Sequence, residues 1–423
     1  MVHRLQLPYG NKYLTANIPE KNLLGIYQPG SVAPCEDLSL ALKNAFQNPI
    51  GALPLTQTVK PGEKIVILVD DHTRTTPAAE ILPYVLNEIE AAGINKDDIL
   101  ILITHGTHNL STAEEVRNKV GEEIVRRYRI EQHRCDDETN QMFIGLTSRG
   151  TPVWLNRLAV EADRRIGIGH IGPSPYAGYS GGGKLILPGV AALDTINANH
   201  TLVVLGFRKH GQVDLPCRVD LEEAADMLPM DMVIDVVQCQ DGAIAAVFAG
   251  TPREVFQAGL PLARRVHEVR CPSGADFAVT SGYPYDTDLY QAVRAVEYAD
   301  AVVRPGGSIL LASPCKDGVG GQEFYDLMKD AHKKPNDFLR DIIRRNGKVT
   351  FGVLGYTLSR IKTEKRLLIV TDGIPSNELI AMGFRPVDSL QAGIDILLEE
   401  YGRDAQVIVF PEGSSTIPVT TDG

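Results

Sequence analysis

The sequence predicts an α/β protein with two domains, each a mostly parallel sheet flanked by helices. Short runs rich in Val, Ile and Leu alternate with longer stretches of helical periodicity, which is typical of βα units. Several of these runs end directly in His, Arg or Asp, as strands at a ligand-binding sheet edge often do. The chain has 423 residues, enough for two or three domains with separate cores.

Composition excludes several classes of function. The 42 Lys and Arg residues are outnumbered by 53 Asp and Glu, so a net charge of −11 offers no basic surface to nucleic acid or an anionic membrane. The longest apolar runs have the length of a strand, far below the roughly 20 residues that cross a bilayer. Six cysteines lie far apart without a C-x-x-C pair, which argues against a zinc, iron–sulfur or disulfide framework. With no secretory signal visible, we expect a cytoplasmic protein.

Three predicted strands in the first half of the chain run into polar motifs. They are Lys64–Asp70, Ile99–Ile103 and Arg165–Gly169, followed by segments that begin at Asp71, Thr104 and His170. Ligands of open α/β sheets bind beyond the carboxyl ends of the strands. We therefore expect these three strand ends to share one site.

A second series of strands begins near residue 270. Its members are Phe277–Thr280, Ser308–Ala312, Leu367–Thr371 and Val407–Phe410. Because a Cys-Pro-Ser-Gly stretch follows the helix-like segment 253–269, we divide the chain into a cofactor-binding domain at 1–269 and an α/β domain at 270–423. The second domain is expected to close over the first, with the active site in the cleft between them. The polar tail, 413–423, is expected to be mobile.

The most unusual segment is rich in glycine and contains Lys184. Gly178–Lys184 fits the G-x-x-x-x-G-K part of a phosphate-binding loop, in which glycines aim backbone N–H groups at phosphate. Leu185 stands where such a loop needs Ser or Thr to hold Mg²⁺. A nucleoside triphosphatase and a purely structural turn are alternatives, and we favour a phosphorylated ligand beside a lysine. A lysine in a dry pocket can also act as a nucleophile and attach a cofactor covalently.

Two further motifs offer anion-binding and acid–base groups. Arg74 could clamp a carboxylate or phosphate through two parallel hydrogen bonds; the alternative is an exposed Arg with Asp71 capping the next helix. His105 and His108 are candidates for metal ligands or acid–base groups, although each by itself could be structural. A single histidine such as His200 indicates a metal site only when other metal ligands lie beside it.

The motif G-Y-P-Y-D-T-D-L-Y-Q-A-V-R at 282–294 follows the strand Phe277–Thr280. A helix that starts near Asp288 would place Gln291 and Arg294 on one face, with Tyr290 adjacent. The alternative is an ordinary amphipathic helix without a role in binding.

Taken in order, these motifs resemble the nickel-dependent lactate racemase family. The matching stretches are D-H-T-R at 71–74, T-H-G-T-H at 104–108, P-S-P-Y-A-G-Y-S-G-G-G-K at 173–184, L-P-G-V at 187–190, N-A-N-H at 197–200 and the motif at 282–294. The resemblance covers both predicted domains and nearly the whole chain.

The resemblance implies nickel and a nickel-pincer nucleotide, a pyridinium mononucleotide with two sulfur-bearing groups that is joined to Lys184 through a thioamide. His200 would be the protein ligand of the nickel. The other residues expected to contact the cofactor are Asp71, Thr73, Ser180, Gly181, Gly182, Gly183 and Tyr290. Dedicated maturation enzymes would supply the cofactor, and they are the protein partners that the resemblance implies.

The implied reaction is racemisation or C2 epimerisation of a 2-hydroxy acid. A base removes the hydroxyl proton while the Cα hydride passes to the cofactor, and the 2-oxo acid then takes the hydride back on its other face. Arg74 and Gln291 match residues that position the substrate, and His108 matches one of two acid–base histidines.

Two positions depart from the family pattern. Ser174 stands where the family has its second catalytic histidine, and a hydroxyl is a poor base at pH 7. Either His170 or His72 substitutes, or the second step is organised differently. Arg294 stands where the family has Lys, so we expect a second carboxylate or a polyhydroxylated chain on the substrate in place of the methyl group of lactate.

Two other classes of function remain as alternatives. One is a catalytically silent relative that binds the cofactor or a hydroxy acid, and the other is a phosphate-dependent enzyme that uses the glycine-rich loop. The sequence leaves the oligomeric state open, with a homo-oligomer among the alternatives.

Overall fold

A computed structural model describes residues 1–205, 210–345 and 348–421 of the chain. The described residues form two compact units, each with its own six-stranded sheet. Unit 1 contains residues 1–30, 210–211 and 267–421, and unit 2 contains residues 31–205 and 212–266. None of the described helices is long and apolar enough to cross a membrane.

Strands and helices alternate along most of the described chain. The strands are β1 (Val2–Tyr9), β2 (Lys12–Pro19), β3 (Leu23–Ile26), β4 (Ile65–Asp70), β5 (Ile99–Thr104), β6 (Arg129–Gln132), β7 (Gln141–Leu146), β8 (Pro152–Asn156), β9 (Arg164–His170), β10 (Pro173–Ser174), β11 (Gly178–Tyr179), β12 (Met232–Gln238), β13 (Ile244–Gly250), β14 (Glu268–Cys271), β15 (Ala275–Ser281), β16 (Val303–Ala312), β17 (Arg366–Val370), β18 (Arg385–Pro386), β19 (Val407–Phe410) and β20 (Ile417–Thr420). The helices are α1 (Leu38–Gln47), α2 (Leu55–Thr58), α3 (Ala78–Ala91), α4 (Ala113–Val120), α5 (Glu122–Arg127), α6 (Arg157–Val160), α7 (Leu193–Thr201), α8 (Pro216–Met227), α9 (Pro252–His267), α10 (Leu289–Ala292), α11 (Arg294–Asp300), α12 (Gln322–Met328), α13 (Pro335–Ile343), α14 (Val349–Glu364), α15 (Ser376–Ala381) and α16 (Leu390–Tyr401).

The sheet of unit 2 has the strand order β13-β12-β9-β4-β5-β6, and all its pairs are parallel except β12 with β13. All six residues of β4 are buried, as expected for a central strand covered on both faces. The chain winds from β4 outward to β5 and β6, and then places β9 and β12 on the other side of β4. The winding therefore reverses between β4 and β9, which makes the carboxyl ends of these strands a topological switch point.

The sheet of unit 1 is parallel throughout, with the order β18-β17-β16-β15-β19-β3. Its winding reverses between β15 and β19. The α/β class and the two series of predicted strands are thus confirmed, with ends shifted by a few residues.

The compact units differ from the predicted division at 1–269 and 270–423. Strand β3 pairs in parallel with β19, so that Leu23 lies opposite Val407, and the β1–β2 hairpin buries Leu5 and Leu7 in the same apolar cluster as Phe277. Residues 1–30 therefore belong to unit 1, through pairings between segments almost 400 residues apart. Such non-local pairing leaves no signal in a local pattern.

The expectation of a mobile C-terminal tail is wrong for the described residues. Strand β20 pairs with β14, and Thr416 and Ile417 are fully buried. The last two residues of the predicted tail, 422–423, lie outside the described residues.

Candidate active site

The polar motifs of unit 2 meet at the switch point of its sheet. Strands β9, β4 and β5 are neighbours in the sheet, and their carboxyl ends lead into His170, D-H-T-R and T-H-G-T-H. Side chains from the three segments contact one another, as the hydrogen bonds below show. The structure thus brings these predicted residues together.

Asp71 orients His108, which also lies beside Arg74. Nδ1 of His108 lies 2.7 Å from Oδ2 of Asp71, and Nε2 lies 3.3 Å from a terminal nitrogen of Arg74. The backbone N–H and the hydroxyl of Thr73 donate to Oδ1 of Asp71, at 2.7 and 2.5 Å. An ionised carboxylate only accepts hydrogen bonds, so we assign the proton of His108 to Nδ1. This assignment leaves Nε2 as the nitrogen that can take up a proton.

The charge states of this pair follow from its surroundings. Burial would raise the pKa of Asp71, but the charge and hydrogen bond of His108, with Arg74, hold it well below its usual range. Burial lowers the pKa of His108, and the charge of Arg74 adds to this while Asp71 opposes it. Near pH 7 the pair is therefore a carboxylate with a neutral imidazole, which is the form of a general base.

The other histidines of these motifs make structural contacts. Nε2 of His105 lies 2.9 Å from Oε1 of Gln132, and Nδ1 of His72 lies 2.7 Å from Oγ of Ser111. Within residues 1–205, 210–345 and 348–421, no group of three or more His, Cys, Asp or Glu side chains could hold a metal ion. Of the two histidines in T-H-G-T-H, His108 is therefore the acid–base candidate.

Lys119 positions the segment that carries Arg74. Its ammonium lies 2.6 Å from Oδ1 of Asp70 and donates to the carbonyl oxygens of Arg74 and Thr76, at 3.1 and 3.0 Å. The Lys119 side chain is only 5% exposed, so these contacts are shielded from solvent. Sequence reasoning missed Lys119, because the charged helix α4 gives no local sign of which lysine is buried.

Lys184 lies in a short 3₁₀ turn, Gly182–Leu185, at the end of the glycine-rich segment. Its Nζ donates to Oγ of Ser174 at 3.0 Å. Ser174 is buried in the two-stranded ladder formed by β10 and β11, and Lys184 is partly buried. Lys184 is therefore in direct contact with the residue that stands where the family has its second catalytic histidine.

The glycines of the loop serve close packing against the protein. A Cβ on Gly183 would lie 2.6 Å from Cβ of Ala225, and one on Gly181 would lie 2.9 Å from Oδ2 of Asp235. The backbone N–H of Gly182 donates to the same carboxylate oxygen at 2.8 Å. The Gly182 N–H therefore bonds to a protein carboxyl group in this structure, and its contact with a phosphate stays a prediction.

The buried side chain of Arg218 bonds to the backbone of the glycine-rich loop. Arg218 donates to the carbonyl oxygens of Tyr179 and Gly181, at 2.9 and 3.4 Å, and it forms an ion pair with Glu222. Its guanidinium lies 3.7 Å from the ring centroid of Phe256. Because it bonds to backbone carbonyls, Arg218 fixes the path of the chain that leads to Lys184.

Asp235, like Arg218, contacts the glycine-rich loop and was not predicted from the sequence. It interrupts the apolar run M-V-I-D-V-V of β12 and is fully buried. This interruption was the available signal, because a buried carboxyl group needs a partner. Burial raises the pKa of Asp235 to about 7, and the nearby charge of Asp70 adds to the effect.

We expect Asp235→Asn to change how stability depends on pH. Folded Asp235 binds a proton below about pH 7, whereas in the unfolded chain it does so only near pH 4. Between these pH values the folded state binds more protons, so the Asp235 contribution to the free energy of unfolding falls as pH rises, by at most about 1.4 kcal/mol per pH unit. Asp235→Asn removes this contribution, and denaturant unfolding at a series of pH values measures it.

The exposed Asp97→Asn variant serves as the control and should give a curve parallel to that of the wild type. A stability difference between the wild type and Asp235→Asn that stays constant from pH 4 to 7 would contradict the raised pKa.

His200 lies on α7 and is 7% exposed. Burial, with the nearby charge of Lys184, lowers its pKa to about 3. Its ring packs edge-on against Tyr176, with the centroids 5.5 Å apart. The imidazole is therefore neutral at physiological pH, which is the form that binds metals.

In unit 1, the motif at 282–294 follows β15 at the switch point of that sheet. Asp288 caps α10 by accepting the backbone N–H of Gln291 at 2.8 Å, which confirms the predicted helix start. A terminal nitrogen of Arg294 donates to Oε1 of Gln291 at 3.3 Å. The guanidinium also lies 4.2 Å from the ring centroid of Tyr285, a contact that the sequence did not reveal. Gln291 and Tyr285 thus hold Arg294 in one orientation.

Tyr290 lies among aromatic side chains. Its ring makes edge-on contacts with Phe324 and Phe351, at centroid distances of 5.4 and 5.0 Å, and it packs against the core of unit 1. The ring is therefore partly buried against the core, and its contact with the cofactor stays a prediction.

The fold and the site define a class of protein: a two-unit α/β protein whose switch-point residues suit acid–base chemistry on a small anion. Comparison with known proteins identifies the family. Profiles described as "Lactate racemase N-terminal domain" and "Lactate racemase C-terminal domain" match residues 9–211 and 271–418. The chain belongs to the lactate racemase family, as the resemblance in the sequence predicted.

Two relatives match over almost their whole length. The lactate racemase of Thermoanaerobacterium thermosaccharolyticum is 31% identical, with 98% of each chain covered. That of Lactiplantibacillus plantarum is 30% identical, with 98% of this chain and 99% of the relative covered.

Solved structures agree with the fold. The lactate racemase apoprotein from T. thermosaccharolyticum superposes with a TM-score of 0.88 at 30% identity, over 99% of this chain and 100% of the other. A protein from Thermotoga maritima shares the fold at 18% identity, with a TM-score of 0.69 over 87% of this chain and 96% of its own.

Proposed function

We propose that this protein is a racemase or C2 epimerase of a 2-hydroxy acid, and that it works by reversible hydride transfer with a nickel-pincer nucleotide bound to Lys184. The observation that carries the proposal is the Asp71–His108 pair beside Arg74. It combines an oriented neutral base with a guanidinium that can bind a carboxylate. Family membership and the names of the two relatives support the same reaction class.

The residues present in unit 2 fit such a cofactor. Lys184 offers a partly buried amine for the covalent link, and His200 offers a neutral imidazole whose pKa responds to the charge of Lys184. A single imidazole suits a nickel ion whose other donors come from the cofactor itself. When bound, the group supplies a pyridinium carbon that accepts and returns a hydride. Because the Gly182 N–H already bonds to Asp235, we propose that the nucleotide is bound chiefly through Lys184.

The protein side chains then have distinct roles. The guanidinium of Arg74 binds the substrate carboxylate and so fixes the position of Cα. Nε2 of His108 takes the hydroxyl proton as the carbonyl group forms, and it returns that proton in the reverse step. Asp71 keeps Nδ1 protonated and stabilises the imidazolium that forms when Nε2 is protonated.

Arg294 indicates the class of substrate. A guanidinium that is stacked on Tyr285 and bonded to Gln291 presents a planar fork of donors to an anionic or polyhydroxylated group. The methyl group of lactate could not accept any of these hydrogen bonds. We therefore propose that Gln291 and Arg294 take part in substrate recognition, and we favour a 2-hydroxy dicarboxylic acid or a sugar acid.

The proposal is tested with protein produced together with the cofactor-maturation enzymes and nickel. Single enantiomers of 2-deuterated lactate, 2-hydroxysuccinate and an aldonic acid are supplied in H₂O. We expect inversion at C2 with the deuterium retained on carbon, because a transferred hydride does not exchange with solvent. The dicarboxylate or the sugar acid should be preferred, and Arg294→Lys should lower its kcat/KM about 10- to 100-fold while sparing lactate.

Loss of the deuterium to solvent would reject hydride transfer, and preference for lactate would reject the role of Arg294. Cofactor binding without inversion of any acid would favour the silent-relative alternative. The maturation enzymes as partners and the cytoplasmic location stay predictions.

A further inference from the structure

When the 2-oxo acid presents its other face to a fixed hydride acceptor, its oxygen no longer points to Nε2 of His108, so a second acid–base group beside the new position of the oxygen would serve the other enantiomer. The hydroxyl of Ser174 does not supply that group. It accepts a hydrogen bond from Lys184 at 3.0 Å, and a serine hydroxyl is a poor base near pH 7. The second acid–base group must therefore be sought among the other histidines at the switch point.

His170, at the carboxyl end of β9, has the contacts of an oriented base. Its Nδ1 lies 2.8 Å from Oγ1 of Thr76 and 3.3 Å from Oδ2 of Asp70. The Thr76 hydroxyl donates to that same Asp70 oxygen at 2.5 Å, so its own oxygen accepts from Nδ1. Nδ1 is therefore the protonated nitrogen, and Nε2 carries the lone pair.

The backbone of Gly172 packs closely against the Nε2 edge of the His170 ring. A Cβ on Gly172 would lie 3.2 Å from Nε2 of His170 and 3.0 Å from its Cδ2. Both distances are tighter than ordinary van der Waals contact. A glycine at this position thus keeps a side chain away from the basic nitrogen.

Two consecutive aspartates each lie beside a histidine. Asp71 accepts from Nδ1 of His108 at 2.7 Å, whereas Oδ2 of Asp70 lies 3.3 Å from Nδ1 of His170, which also contacts the Thr76 hydroxyl at 2.8 Å. Consecutive residues of an extended segment direct their side chains to opposite sides. The end of β4 therefore carries two Asp–His pairs, and the charge of Arg74 lowers the pKa of both imidazoles.

The charged groups around His170 keep it neutral. Burial lowers its pKa, the carboxylate of Asp70 opposes this, and the charges of Arg74 and Lys119 lower the pKa further. The other nearby histidine is bonded at Nδ1, since Nδ1 of His72 lies 2.7 Å from Oγ of Ser111, and its Nε2 lies 3.7 Å from a carboxylate oxygen of Glu115. These contacts favour His170 over His72 as the second acid–base residue.

We propose that His170 is the second acid–base residue of this enzyme and serves the enantiomer that His108 does not. Nε2 takes the hydroxyl proton and the O–H bonding pair forms the carbonyl group, while the cofactor of the proposed function, when bound, would supply the acceptor for the Cα hydride and its electron pair. In the reverse direction Nε2 returns the proton to oxygen as the hydride returns to carbon. This inference rests on the proposed function.

The test is a reciprocal pair of variants, His170→Asn and His108→Asn, in cofactor-loaded protein. An asparagine amide can keep the hydrogen bond that Nδ1 makes, but it cannot act as a base. Each enantiomer of the preferred substrate is mixed with stoichiometric enzyme, and the 2-oxo acid formed is measured after acid quench. Wild-type protein should form it from both enantiomers.

We expect each variant to lose inversion by about 10³-fold and to retain 2-oxo acid formation from one enantiomer only, with opposite enantiomers retained in the two variants. The control, His72→Asn, should stay within a few-fold of the wild type. Equal loss with both enantiomers, near-wild-type inversion in His170→Asn, or selective loss in His72→Asn would each overturn the assignment. If the wild type forms no 2-oxo acid from either enantiomer, the proposed function itself fails.

A second measurement is independent of turnover. In cofactor-free protein at pH 7, the ¹⁵N chemical shifts of His170 should show a neutral ring protonated on Nδ1, and Asp70→Asn should alter them. A ring protonated on Nε2 would contradict the proposed base.

Discussion

Lys184→Ala is expected to abolish both the covalent nucleotide and the turnover of the protein. The amine of Lys184 is the attachment point in the proposed function, and an alanine offers no nucleophile for the link. Wild-type protein made with the maturation enzymes and nickel should carry an adduct of nucleotide size on the peptide that contains Lys184. The variant should lack it and lose at least about 10⁴-fold in kcat. Intact mass and peptide mass, together with the inversion assay, measure both effects.

Lys184→Arg separates a covalent role from an electrostatic one. Arginine keeps the positive charge but does not form the thioamide, so under the proposed function it should behave like alanine. The exposed Lys43→Ala is the control and should keep both adduct and activity. An active Lys184→Arg without an adduct would favour a phosphate site at which the lysine acts only as a cation.

Asp71→Asn is expected to lower kcat by about 10³- to 10⁴-fold through the wrong tautomer of His108. Oδ1 of Asp71 accepts two hydrogen bonds from Thr73, so the amide oxygen of an asparagine would take that place. Its NH₂ group would then face Nδ1 of His108, at the position now occupied by Oδ2. Nδ1 would have to accept, Nε2 would carry the proton, and the base would be lost.

The adduct on Lys184 should persist in Asp71→Asn, and its intact mass shows that the loss does not come from a missing cofactor. The exposed Asp136→Asn variant is the control, with an expected kcat close to that of the wild type. Retention of more than a tenth of the wild-type kcat would contradict a positioning role for Asp71.

The sequence determined the parts of this protein that depend on local patterns. Apolar runs located the central strands of both sheets, because a buried parallel strand is a continuous apolar segment. Strand ends rich in His, Arg and Asp indicated the candidate site, and D-H-T-R already contained a hydrogen-bond acceptor, Asp71, and an arginine proposed to bind a carboxylate, Arg74. In the motif at 282–294, Asp288 located the start of α10 correctly, since N-capping is a local interaction.

Only the tertiary structure decided which partner each group has. Asp70 and Asp71 are adjacent in sequence, yet one lies by His170 and the other holds His108. Likewise, the Gly182 N–H meets Asp235 from a strand more than fifty residues away, where a phosphate was expected. The physical reason is that pKa, tautomer and donor availability depend on burial and on neighbours from distant segments.

The same reason explains the errors in the predicted architecture. Residues 1–30 join unit 1 because β3 pairs with β19, and the described part of the tail is held in the fold because β20 pairs with β14. Periodicity and turn chemistry operate over a few residues and therefore predict elements and motifs, whereas strand pairing and side-chain burial join residues hundreds of positions apart.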